Sequence, residues 1–328
     1  MISFVLGVED LADTRFVISP LHETLLSLRV LQDPRLSPLH LPWRVSALAE
    51  LDTRDLELLL SLVAVRRTLP DFLTPPPGSS EPDFEEQLAL VCRTSPGRVR
   101  HDLLVTHAPD PLPPALHGAT DDDASLIGLR DSVCAALWRF WKAAIEPNWP
   151  RMRLLLEADM IHRARQWARG GARLLFAGMH PNLRWRDGVL HIDRMISGHS
   201  VAASGRGLLL LPSVFAHKPA PPVTPDEPPW LVYPSRGVAT LWSTEPPADT
   251  AVLTPLLGAP RARLLALLDE PTPTVELARR LRITASAVSQ HLRVLYDSGL
   301  LIRIRDGRHV LYRRSSIGDR LLEGSRSD

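Results

Sequence analysis

The clearest pattern in the chain lies near its C-terminal end, where apolar positions recur at helical spacing three times in succession. Leu264, Leu265, Leu267 and Leu268, with Arg261 and Arg263 outside them, predict an amphipathic helix over 260–269, stopped by Pro271 and Pro273. A second helix opens at Thr274, has Glu276 in its first turn where the helix dipole favours an acid, and runs through Leu277, Ala278 and Leu281. A third opens at Thr284, a capping residue, and continues to Asp297 before Ser298-Gly299. Only residues 282–284 separate the second helix from the third, so the two must cross as a helix-turn-helix. In the third helix Ala285, Val288, Leu292, Leu295 and Gly299 make the expected buried stripe; Ser286, Gln290, Arg293 and Asp297 lie opposite, with Ser289 beside them. Short polar side chains let a helix backbone approach base edges, and an Arg further along suits phosphate or guanine.

After Leu300 the period changes from helical to two. Ile302 and Ile304 alternate with Arg303 and Arg305, Asp306-Gly307 offers a turn, and Val310 and Tyr312 alternate with His309, Leu311 and Arg313. This predicts a β-hairpin with an apolar inner face and an Arg-rich tip, a wing on which Arg308 and its neighbours would neutralise phosphates.

Upstream the pattern is helical first and then extended. Helices are expected over 21–31, 45–69, 84–92, 124–145 and 151–169, the last capped by Gly170-Gly171. Residues 75–78 and 109–114 read as rigid Pro-rich loops. Strands follow over 183–192, turning at Asp187-Gly188, and over 207–215, 230–233 and 238–242. The prolines from 219 to 229 lack an arranged PxxP pair with flanking Arg and read as a semi-rigid connection, while Pro246, Pro247 and Pro255 mark an interdomain linker. The expected class is α+β: a helical-then-β sensor or dimerisation domain over 1–250, a winged helix-turn-helix over 255–316 and a short tail over 317–328.

Charge sharpens this division. The chain of 328 residues has a formal net charge of +1, yet 259–314 carry eleven arginines against five acids, which leaves the remainder acidic. A basic module on an acidic body is the electrostatic footprint of polyanion binding. Two cysteines, Cys92 and Cys134, are too few for a disulfide framework or a four-thiolate zinc site. Residues 2–8 lack the basic flank of a signal peptide, and the longest aliphatic stretch, 58–65, is too short to span a bilayer, so a soluble, cytoplasmic protein without membrane contact is expected.

Residues 259–314 resemble the winged helix-turn-helix of ArsR-type (arsenic-repressor) bacterial transcriptional regulators. The resemblance rests on the VELARRL run from Val275, the VSQHLRVL run from Val288, Ser298-Gly299-Leu300-Leu301 and the RDGRHVLY run from Arg305. It implies a homodimeric, sequence-specific protein that binds double-stranded DNA, usually a repressor released by a small ligand. On it Ser286, Ser289, Gln290 and His291 map to recognition-helix contacts. With the cap and the wing, the candidate DNA-binding set is Thr284, Ser286, Ser289, Gln290, His291, Arg293, Arg303, Arg305, Arg308 and His309.

Departures from the family also carry meaning. Its metal sensors place a cysteine pair in the helix that here reads VELARRL, or His and acidic ligands on a long last helix. Here that helix has no cysteine, and the fourteen residues after Arg314 have no His or Cys and are short for a dimer helix. Metal sensing is therefore not expected, and dimerisation should draw on the N-terminal region. The opening residues 4–31, the segment Asp159 to Arg165, Gly170-Gly171, residues 208–215 and Tyr233 to Gly237 resemble an N-terminal region of large ArsR-type regulators of actinobacteria, a resemblance that implies no activity.

Three constellations upstream are weighed as chemistry. His180, His191, Asp193 and His199 lie close in sequence, but their spacing matches no ligand pattern and they read as scattered histidines. Cys92 with His101 or His107 would be a thiolate pair, yet a buried small hydrophobe is the commoner outcome. Trp138, Trp141 and Trp149 at helical spacing read as core before they read as a ligand pocket. Arg163 and Arg165 beside Asp159 read as a solvated ion-pair network before they read as a clamp for an anionic ligand. No phosphate-cradling Gly-rich loop or nucleophile elbow occurs, so no enzyme and no cofactor is expected. The leading expectation is a DNA-binding repressor controlled by a small organic effector at its N-terminal domain. An interaction or dimerisation module there, or an enzyme domain, are the alternatives.

Overall fold

A computed structural model describes residues 1–76, 82–195, 198–222, 229–242, 253–268, 272–281, 283–306 and 309–324. The chain forms two compact units, Met1–Trp242 and Ser243–Asp328, and its class is α+β.

The first unit runs β1 (Ile2–Val5), α1 (Val8–Ala12), β2 (Arg15–Phe16), α2 (Pro20–Gln32), α3 (Leu41–Glu50), α4 (Thr53–Ser61), α5 (Phe84–Cys92), α6 (Pro96–His107), α7 (Asp123–Phe140), α8 (Trp149–Ala177), β3 (Leu183–Arg186), β4 (Val189–Ile192), β5 (His199–Ala202), β6 (Leu209–Ser213) and β7 (Trp230–Pro234). β2, β6 and β7 form a parallel sheet in that order. Strand alternation sends Leu211, Trp230 and Val232 into a core shared with helices α2 to α7. It sends Leu208, Leu210, Leu231 and Tyr233 the other way, into a second core with the end of α8 and a sheet ordered β3-β4-β1-β5. The β3–β4 hairpin turns at Asp187 and Gly188, both at positive φ, as a two-residue hairpin loop requires.

Several upstream expectations are corrected. The single helix expected over 45–69 is two, because the Asp52 carboxylate accepts the amides of Arg54 and Asp55 and starts α4 afresh after an extended Leu51. Gly170-Gly171 interrupts α8 without ending it: Gly171 takes φ 59 and ψ −158, and the chain resumes helix to bury Leu175 and Phe176. The strand expected over 238–242 is a 3-10 turn at Val238–Thr240, since Gly237 at φ 78 reverses the chain. Strand β1 and helix α6 were not anticipated. Residues 77 and 78 of the first Pro-rich loop, 223–228 of the proline connection, and Pro246 and Pro247 of the expected linker lie outside the described residues.

The second unit runs α9 (Thr254–Leu257), α10 (Ala259–Leu267), β8 (Thr272–Pro273), α11 (Thr274–Leu281), α12 (Ala285–Asp297), β9 (Leu301–Asp306), β10 (His309–Arg314) and α13 (Ser316–Gly324). Its three strands form a sheet ordered β8-β10-β9. Among the described residues no helix is long and apolar enough to cross a membrane.

Candidate nucleic-acid interface

Leu264 and Leu265 of α10, Leu277 of α11, Val288, Leu292 and Leu295 of α12, and Leu300 and Leu301 at the wing root form one buried cluster. This core fixes the crossing of α11 and α12, and the turn between them is tied by the Ile283 amide donating to the Ala278 carbonyl at 3.1 Å. The Thr284 side chain caps α12, its hydroxyl accepting the Ala287 amide at 3.2 Å. At the other end Gly299, at φ 74, donates to Tyr296 O, and Leu300 donates to Leu295 O. That is a Schellman closure, with Leu300 buried against Leu295.

The cap and closure leave one face of α12 bare. Thr284, Ser286, Ser289, Gln290 and Arg293 are exposed, and His291 is half-buried at its edge. The Ser289 hydroxyl donates to the Ala285 carbonyl at 2.9 Å, which keeps that side chain folded against its own helix. Ala285 and Gly299, expected in the buried stripe, are exposed. Ala285 is the first helical residue and Gly299 already lies in the reversed turn, so neither has a packing layer beneath it.

The wing differs from its expected facing. β9 continues through Asp306, which pairs with His309, so Asp306 is a strand residue and not the start of the turn. This register sets Arg303 opposite Tyr312 and Ile302 opposite Arg313. Leu301 is buried while Ile302 is 43% exposed, so Ile302 does not contribute to the expected apolar inner face. Arg303 is exposed, its guanidinium 5.9 Å from the ring centre of Tyr296, which meets Tyr312 edge-on at 6.4 Å. The sequence reading missed Tyr296, although its position seven residues after Ser289 puts it on the same helix face. Arg308, and the side chains of Arg305 and His309, lie outside the described residues.

Not every arginine of the basic segment is available to a phosphate. Arg314 pairs with Asp319 at 2.7 Å and donates to the Leu265 and Ala266 carbonyls at 3.1 and 3.0 Å, closing the end of α10. Its partner sits on α13, where the sequence suggested only a tail. This helix packs inward through Leu322 and through Gly318, where a Cβ would stand 2.4 Å from the Leu300 carbonyl oxygen.

The other constellations do not converge. His191 Nδ1 faces Ser3 Oγ at 3.2 Å, Asp193 is held by Arg184 at 2.7 Å, and His180 Nδ1 accepts the Asn182 amide. Among the described residues no three His, Cys, Asp or Glu side chains are placed to hold a metal. Cys92 neighbours Cys134, whose thiol is pushed up by burial and by that neighbour. Trp141 stacks on Phe84 and meets Trp149 edge-on, while Trp138 is exposed beneath Lys142. Asp159 and Arg163, expected in solvent, are buried: Asp159 accepts the Arg236 amide, and Arg163 donates to Gln166 and Gly178.

Residues 261–304 match the helix-turn-helix domain family. No curated protein and no solved structure matches the chain. The C-terminal unit is a winged helix-turn-helix, the architecture by which transcriptional regulators bind DNA.

Proposed function

We propose that this protein is a sequence-specific transcriptional repressor of the ArsR type, acting as a homodimer and released from DNA by a small organic effector bound at its N-terminal domain. The observation that carries the reading is the bare polar face of α12, held by a cap at Thr284 and a closure at Gly299 on a tightly crossed helix pair. Ser286 and Gln290 are placed to read base edges, and Arg293 with Arg303 to meet phosphates. The packing of Leu322 on α13 into the core of its own unit supports dimerisation through the N-terminal unit. The N-terminal domain is read as a sensor and not an enzyme.

The test is fluorescence anisotropy of the full chain on duplex DNA from its own promoter. Binding should weaken steeply between 50 and 200 mM salt, roughly in proportion to the phosphates contacted. Gln290→Ala should cost about 1 to 3 kcal/mol on the specific site and leave non-specific binding in place. A salt-insensitive interaction, or none, would refute the reading.

A further inference from the structure

Helix α2 presents His22, Leu26 and Arg29 at spacings of four and three, a single stripe along one face, and Asp33 follows just past its end in extended backbone. That stripe meets two other pieces of chain. His22 lies edge-on to Trp230 at the start of β7, with ring centres 5.4 Å apart. The segment after β6 is drawn alongside β7 by the two hydrogen bonds between Ala220 and Val232, at 2.9 and 3.1 Å. His217 and Lys218 sit on this segment, both half-buried, with the His180 ring hydrogen-bonded to the His217 backbone.

Positive charge gathers where the three pieces meet. Arg29 acts electrostatically on His22, His217 and Lys218, and Arg67 on His217 and Lys218. Burial alone acts on Arg29, lowering it to about 10, so it remains charged at neutral pH. Lys218 is lowered by burial, Arg29 and Arg67. Burial and these neighbours push His22 to about 3 and His217 to about 4, so both rings are neutral near pH 7.

Among the described residues no carboxylate is paired with Arg29 or Lys218. Asp33, just past the end of α2, is occupied by Arg35 at 2.9 Å and by Arg67. Glu23 turns to the Val214 amide, and burial raises it to about 8, so it is uncharged at neutral pH. Three buried polar atoms here lack a partner: Arg29 Nε, His22 Nε2 and Trp230 Nε1. Arg29 is half-buried but its Nε is out of reach of water, and a guanidinium with an unused, desolvated donor calls for an oxyanion.

We infer that Arg29, Lys218 and His217, with Arg67 at the rim, form a binding site for the oxyanion group, carboxylate or phosphate, of a small ligand. This deepens the reading of the N-terminal unit as an effector domain and rests on it for the biological role, though not for the binding itself.

The experiment follows thermal unfolding of the full chain by tryptophan fluorescence. All eight tryptophans lie at or before Trp242, so the signal reports the first unit. Inorganic phosphate and acetate are each compared with chloride at matched ionic strength. Whichever oxyanion fits should raise Tm by on the order of 3 °C at ten times its Kd. Phosphate acting alone marks a phosphate ligand, and acetate acting alone a carboxylate. Arg29→Met should raise Tm in chloride, by removing an uncompensated charge, and abolish the anion-induced rise; Lys218→Met should weaken anion binding at least tenfold.

No rise with either anion would overturn the inference, as would a rise that survives both substitutions. A lower Tm for Arg29→Met in chloride, matched by the pair Asp226→Asn and Glu227→Gln, would also overturn it, because the counter-charge would then be the chain's own. Promoter affinity is measured separately. Anion binding that leaves it unchanged supports this site and refutes the effector reading alone.

Discussion

Gly318 is where the last helix comes closest to the wing, and Gly318→Ala tests whether α13 belongs to the DNA-binding unit. The added Cβ would stand 2.4 Å from Leu300 O and 3.4 Å from Leu265 Cδ1. The leucine tip can rotate away, but the carbonyl cannot, because it accepts the Ser315 amide at 3.0 Å. Ser315 is itself fixed, its hydroxyl donating to Gly299 O at 2.6 Å and accepting the Gly318 amide at 3.2 Å. Relief takes one of two routes. Shifting the backbone by at least about 0.6 Å is an overpacking distortion costing about 1 to 3 kcal/mol. Releasing α13 exposes Leu322, about 2 kcal/mol, and breaks the Arg314–Asp319 pair. Alanine returns at most about 1 kcal/mol of helix propensity. The net expectation is a loss of about 1 to 2 kcal/mol, confined to the second unit. Urea unfolding of the full chain separates the two units, since tryptophan fluorescence follows only the first while far-UV circular dichroism follows both. The dichroism transition assigned to the second unit should move to lower urea by roughly 1 M, with the fluorescence transition unmoved. A variant as stable as the parent, or a matching shift in fluorescence, would refute the packing argument.

Other expected outcomes follow from the same structure. Arg314→Met should destabilise the second unit by about 1.5 to 3 kcal/mol through its lost charged hydrogen bonds, yet leave the slope of log affinity against log salt unchanged, whereas Arg293→Ala should flatten that slope by about 1. Glu23, raised by burial from 4.5 to about 8, binds a proton when folded that the unfolded chain releases above 4.5, so it costs stability progressively as pH rises from 4.5 to 8. Glu23→Gln should therefore raise Tm more at pH 8 than at pH 5, and an equal change at both would contradict its burial. His22, His40 and His217, lowered by burial from 6.5 to about 3, 4 and 4, stay neutral when folded while the unfolded chain protonates. Fluorescence-monitored stability should accordingly fall as pH drops from 6.5 towards 4, with net proton uptake on unfolding. Sedimentation of the full chain should show a dimer and residues 255–328 a monomer; a tight dimer of the short piece would place the interface in the winged helix.

The sequence by itself determined the elements whose cause is local. The cap at Thr284, the stripe of Val288, Leu292 and Leu295, the helix over 84–92, the reversal at Asp187-Gly188 and the basic surplus of 259–314 each follow from neighbours a few residues apart, where periodicity, capping and φ preference act. Tertiary structure decided whatever depended on a distant partner. The alternation of Ile and Arg did not decide that Ile302 would lie exposed, nor that Asp306 would pair with His309 across the wing. Arg314 counted only towards the basic surplus until α13 brought Asp319 to it. Asp159 and Arg163 read as a surface pair because charge predicts exposure, and only the packing of α8 against β7 buried them. Arg29, on a helix of unremarkable pattern, gained its meaning from His217 and Lys218, nearly two hundred residues away, because an electrostatic field depends on distance in space and not along the chain.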